Sequence, residues 1–64
     1  MSNLKQLRKA KKLSQAQLSE IAGVNLRTLQ DYEQGRKNIN KAEAMTVYKL
    51  SVALDCEVWE LLEL

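Results

Sequence analysis

Apolar residues along this chain recur three and four positions apart, the period of an α-helix. Ser14 followed three residues later by Gln17 is a capping-box pattern: the hydroxyl satisfies an orphan N–H while the glutamine reaches back, so a helix starts at Gln15. Leu18, Ile21 and Ala22 give that helix one stripe expected to be buried, and Gly23 stops it by supplying a positive-φ position. After the turn Gly23-Val24-Asn25, Asn25 caps a second helix whose core face is Leu29 and Tyr32 and which ends at Gly35. Ahead of this pair, a helix is expected from about Asn3 to Lys12, with Asn3 and Gln6 as a box and Leu4 and Leu7 inward. Beyond a loop at Arg36-Lys37-Asn38, Asn40 and Glu43 form a third box, opening a helix from about Lys41 to Leu54. Its core stripe is Val47, Leu50 and Leu54 with the small Ser51 between them. Asp55 takes the helix-ending position, where aspartate tolerates the left-handed conformation better than most residues. A last helix runs from Val58 to about Leu62, with Glu57 at a cap position where serine or threonine is usual, an end expected to fray.

Two helices joined through a three-to-four-residue turn containing glycine make a helix-turn-helix unit, here about residues 14–35. The chain resembles the phage-repressor-like (Xre/Cro-type) helix-turn-helix family from Leu4 to about Leu62. The matching residues are Leu4, Leu7 and Arg8, then Leu13-Ser14-Gln15 and Leu18. They continue through Ala22-Gly23-Val24, Thr28-Leu29, Tyr32-Glu33 and Gly35 to a leucine-rich close at Leu61 and Leu62. The resemblance implies a compact, all-α, five-helix, lambda-repressor-like DNA-binding domain filling residues 1–64. Two departures stand out. The segment after Gly35 is about one turn longer than the family's compact pattern, and Ile39 replaces its usual proline.

Such a fold lays its second helix-turn-helix helix in the major groove, which makes Leu26, Arg27, Gln30 and Asp31 the expected base readers. A guanidinium can bond guanine O6 and N7 together, worth about 1–3 kcal/mol of discrimination, and Leu26 suits a thymine methyl. Asp31 can accept from a cytosine amine, repel phosphate, or pair with Arg27 one turn earlier, and the intrahelical pair is favoured. Thr28 is expected close to the DNA backbone. Gln15, at a helix N-terminus that favours anions, is implied to brace the backbone and a reader side chain. Arg36, Lys37 and Asn38 would clamp the next phosphates, with Lys9 or Lys12 adding to them. Arg8 follows Leu4 by four residues and Glu33 follows Leu29 by four, so each charge sits at the edge of its apolar stripe. A structural ion pair between them is expected, and the resemblance implies the same pairing.

A net charge of +2 hides a strong segregation. Residues 1–12 carry +5, residues 13–35 carry −2, Arg36, Lys37 and Lys41 add +3, and the tail from Ala42 carries −4. One basic face and one acidic end suit a protein that docks an anionic polymer on one side. The single Cys56 permits no intramolecular disulfide, and the opening segment has no apolar stretch of signal-peptide length, so a cytoplasmic chain is expected. Cys56 reads as a small core residue, because neither a second cysteine nor any histidine is present to share a metal. No cofactor is expected. An enzyme is disfavoured too, since the cysteine has no base and the four serines have structural explanations: Ser2 at the terminus, Ser14 as cap, Ser19 on a helix surface and Ser51 in the core.

Met45, Tyr48 and Val52 recur on a stripe beside the core stripe of the fourth helix, and with Trp59 they exceed what so small a domain buries. They are the expected homodimer interface, as the family generally binds two-fold operators as dimers. The leading function is therefore sequence-specific double-stranded DNA binding that regulates transcription, most simply as a repressor. Two alternatives remain: a helical protein-binding module such as the antitoxin of a toxin–antitoxin pair, gripping a small protein partner through its acidic apolar tail, or a degenerate domain without DNA binding. Asp31 and the lack of a second basic residue on the reading helix favour the latter.

Overall fold

The computed structural model describes residues 2–64. In chain order these form α1 (Asn3–Ala10), α2 (Gln15–Ala22), α3 (Leu26–Glu33), a 3-10 turn (Ile39–Lys41), α4 (Ala44–Leu54) and α5 (Val58–Leu61), with no strand among the described residues. Helix α2 packs on α3 and α4, α1 packs on α3 and α5, and α4 meets α5. Each α-helix contributes a leucine that is almost wholly buried: Leu4, Leu18, Leu29, Leu50 with Leu54, and Leu61. Val24, Ile39 and Val47 complete the core, with Leu7, Leu13, Tyr32 and Cys56 packed against its edge. None of the helices in the described residues is long and apolar enough to cross a membrane.

All four longer helices end in one way. A residue with left-handed backbone follows the last turn: Lys12 at φ 59°, Gly23 at 69°, Gly35 at 79° and Asp55 at 53°. The next N–H then reaches back five residues: Leu13 to the Arg8 carbonyl, Val24 to Ser19, Arg36 to Asp31 and Cys56 to Ser51. This Schellman closure satisfies carbonyls the helix leaves open, and three of the four following residues drop their side chains onto the core. At the α2 end the Ser19 hydroxyl also donates to the Val24 carbonyl at 2.5 Å. Ser19 therefore staples the turn rather than decorating a helix surface.

The starts of α2 and α3 agree with local reading. Ser14 accepts from the Gln17 N–H at 3.0 Å while Gln17 accepts from the Ser14 N–H at 2.8 Å, and Asn25 accepts from the Arg27 and Thr28 N–H groups. The two asparagine boxes, Asn3 with Gln6 and Asn40 with Glu43, are not formed. Ser2, accepting from Lys5 N–H, caps α1, and Asn3 binds the chain's far end, donating its N–H to Glu63 Oε1 (2.9 Å) and its amide to the Leu62 carbonyl (2.8 Å). Asn40 exchanges two hydrogen bonds with the backbone of Glu63, so α4 starts at Ala44 instead of Lys41. The extra turn after Gly35 is the Ile39–Lys41 3-10 turn, capped by Asn38, which inserts Ile39 into the core where the family has proline. At α5 the Glu60 carboxylate accepts the Glu57 N–H at 2.7 Å, tying an end expected to fray. Ile21 departs from expectation: it is 60% exposed, because Leu18 and Ala22 already supply the contacts of α2 with the core.

Candidate nucleic-acid interface

A buried ion pair fixes the frame of the interface. Arg8 of α1 donates from Nε to Glu33 Oε2 at 2.7 Å and from its terminal nitrogen to Glu33 Oε1 at 2.9 Å, and the two side chains are 9% and 1% exposed. A third donor of Arg8 reaches the Leu13 carbonyl at 2.8 Å, so one guanidinium ties α1, the turn before α2 and the end of α3. Burial alone would raise the Glu33 carboxyl pKa, but hydrogen bonds from Arg8 and Gln15 outweigh it and hold the carboxyl below the ordinary glutamate value. The same bond raises the Arg8 pKa above its ordinary value.

From this pair a chain of side chains leads outward. Gln15 Nε2, at the first turn of α2, donates to Glu33 Oε1 at 3.1 Å, and Gln15 Oε1 accepts from Gln30 Nε2 at 3.4 Å. Both ends of the Gln15 amide are thus occupied inside the protein. The first two backbone N–H groups of α2, those of Gln15 and Ala16, keep no internal partner among the described residues, which leaves them for an anion at the positive helix end.

On α3, helical spacing puts Leu26, Arg27, Gln30 and Asp31 on one side. The Arg27 side chain is 78% exposed, Leu26 is exposed and Gln30 half-buried. Asp31 is different: its side chain is only 13% exposed, lying 2.8 Å from Arg36 Nε and 3.5 Å from Arg27 Nε. The hydrogen bond from Arg36, with the nearby charges of Arg27 and Lys37, holds the Asp31 carboxyl below the usual aspartate range. The expected i, i+4 partner is therefore the weaker of two. Arg36 also donates to Gln34 Oε1 at 2.6 Å, so it is held by its own chain as much as it is displayed. Thr28 is half-buried, while Lys37, Asn38, Lys9 and Lys12 are exposed.

Residues 4–58 match a family model described as helix-turn-helix. The chain belongs to that helix-turn-helix family. The family is one of DNA-binding regulators, so the chain is a DNA-binding transcriptional regulator and not an enzyme. No curated protein matches the sequence. Among solved structures, the chain is similar to the restriction-modification controller protein C.AhdI from Aeromonas hydrophila. The two share 36% identity with a TM-score of 0.81, covering 92% of this chain and 85% of that one.

The four residues expected at a dimer interface do not share one surface. Tyr48 and Val52 line a groove with Ile21 and Ala22 of α2, and a second with Cys56 and Val58, so Ile21, Tyr48, Val52 and Val58 make one apolar strip across α2, α4 and α5. Met45 is exposed one turn before Tyr48. Trp59, 68% exposed, lines a separate cleft with Gln6, Leu7 and Ala10 of α1. Ile21 and Val58 were missed as members of the strip, because periodicity marks Ile21 as core and nothing local marks Val58. Cys56 packs half-buried at the α4–α5 junction with its thiol free, and burial plus Glu60, Asp55 and Glu57 push its pKa up.

Proposed function

We propose that this helix-turn-helix regulator binds a two-fold DNA operator as a homodimer, sequence-specifically, and represses transcription by occupying it in the cytoplasm. The observation that carries the reading is the hydrogen-bonded chain Arg8, Glu33, Gln15, Gln30. It locks the N-terminus of α2, where a phosphate would sit, to a side chain on the outward face of α3, where a base would sit. In this reading Leu26, Arg27 and Gln30 meet base edges, with Asp31 acting beside them. Thr28, Lys37, Asn38 and the free N–H groups at Gln15 contact the backbone. The dimer forms through Met45, Tyr48 and Val52 together with Ile21 and Val58, with Trp59 at its margin. Selection of bound sequences from a random duplex library tests the sequence-specific binding and the two-fold operator together. A palindromic motif is expected; no enrichment overturns DNA reading, and a motif without two-fold symmetry overturns the dimer.

A second reading concerns the regulated genes. The likeness to a restriction-modification controller protein favours such a system as the target. The selected motif should then lie upstream of restriction or modification genes, and a motif confined to other promoters rejects this.

A further inference from the structure

The carboxylate of Asp31 poses a problem for any helix that enters a phosphate-lined groove, because an uncompensated negative charge there repels the DNA. The structure places two guanidinium groups over it. Arg36 Nε is at 2.8 Å and Arg27 Nε at 3.5 Å, with the arginine side chains 51% and 78% exposed and the aspartate side chain 13% exposed. What this part of α3 displays is guanidinium, with the carboxylate beneath it. The chain path enforces the arrangement, since the backbone N–H groups of Arg36 and Lys37 both bond the Asp31 carbonyl, at 2.8 and 3.2 Å, folding the basic loop back over the end of the reading helix. Gln34 holds the same arginine from the other side.

We propose that Asp31 is a positioning residue for sequence reading: it anchors Arg27 for its base, and Arg36 acts as the counter-ion that makes Asp31 tolerable in the groove instead of as a phosphate clamp. This rests on the DNA-binding reading above. Asp31 neither reads cytosine nor marks a domain that has lost DNA binding. Arg36 acts on DNA through Asp31.

A double-mutant cycle separates these roles. Wild type, Asp31→Asn, Arg36→Ala and the double variant are checked by thermal melting for folding. Each is then titrated over a range of salt with the duplex recovered by selection and with a scrambled duplex of the same composition. Asp31→Asn is expected to tighten binding to the scrambled duplex while lowering discrimination by at least about fivefold, the lower end of what one bidentate base contact supplies. Arg36→Ala is expected to weaken binding strongly when Asp31 is present and little when Asn replaces it, with the salt slope nearly unchanged. If Arg36→Ala lowers the log–log slope by about 0.9 and costs the same factor in both backgrounds, it is an ordinary phosphate contact and the proposal is overturned. If wild type binds neither duplex in a salt-dependent way, the DNA reading itself falls and takes the proposal with it. Wild-type binding combined with additive effects removes the proposal alone.

Discussion

Glu33 is the residue on which fold and site both depend. Its carboxylate, 1% exposed, takes two bonds from Arg8 and one from Gln15, so truncating it leaves a guanidinium buried without its counter-charge and Gln15 without its anchor. Glu33→Ala should cost about 3–5 kcal/mol in urea or thermal unfolding. For a domain of this length that is much of its total stability, on the order of 3–10 kcal/mol, and DNA binding should fail with the fold. A change below ~1 kcal/mol would class the pair with solvent-exposed bridges. The pH dependence has a definite direction. The folded-state pKa of Glu33 is depressed, so the stabilisation is fully present above the ordinary glutamate pKa of about 4.3 and is lost as pH falls through the folded value. A melting-temperature profile of Glu33→Gln should be flatter than wild type in that acidic range; parallel profiles would place the acid lability elsewhere. At the surface, Arg27→Ala should cost about 1–3 kcal/mol at one position per half-site, whereas Lys37→Ala should weaken all sequences alike. Uniform loss in both variants would make Arg27 a backbone contact.

The helices themselves are short, eight residues for α1, α2 and α3, so their ends matter as much as their middles. Two of the four left-handed stops use glycine and two use Lys12 and Asp55, which pay the steric cost of a Cβ in that conformation. Lys12→Gly and Asp55→Gly should therefore each stabilise the domain by about 0.5–1 kcal/mol, seen as a rise in melting temperature of a few degrees. A fall for either would mean that the side chain contributes more than the backbone strain costs. This also explains what was legible. Gly23 and Gly35 announce their turns, and aspartate is a recognised substitute, but lysine is no stop signal, so α1 reads as running to Lys12 although it closes at Ala10. Asn3 and Asn40 mislead for a different reason. Each lies three residues before a residue able to complete a box, yet its side-chain amide is taken by a partner 59 or 23 positions away.

The whole molecule measures 24 × 22 × 22 Å between its outermost Cα atoms, while half-sites one helical turn apart are centred about 34 Å from each other. A single copy cannot place reading helices at both; two copies joined side by side can. In the proposed dimer, the apolar strip of Ile21, Tyr48, Val52 and Val58 is the face for the join. Tyr48→Glu or Val52→Glu should give monomers in sedimentation and weaken the full operator much more than a half-site. Trp59→Ala, altering the neighbouring cleft, should shift the balance less. Wild type that sediments as a monomer at high concentration, with and without DNA, rejects the dimer. Duplex affinity should also fall steeply with salt, by about 0.9 log units per log unit for each phosphate neutralised. A flat response would overturn the reading that lysines and arginines of this chain neutralise phosphates.

The sequence alone was enough for the helical class, the serine-capped and glycine-ended helix-turn-helix, and the core stripe of Val47, Leu50 and Leu54. Each follows from interactions within a few positions: a hydroxyl and an N–H one turn on, or apolar groups on one face. Only the tertiary structure decided that Ile21 faces out, that Ile39 faces in, that Asn3 and Asn40 hold the far end of the chain, and that Arg36 rather than Arg27 is the nearer partner of Asp31. In each case several partners are open to the residue by local geometry. The choice among them is made by which groups the packed helices bring within reach and out of water.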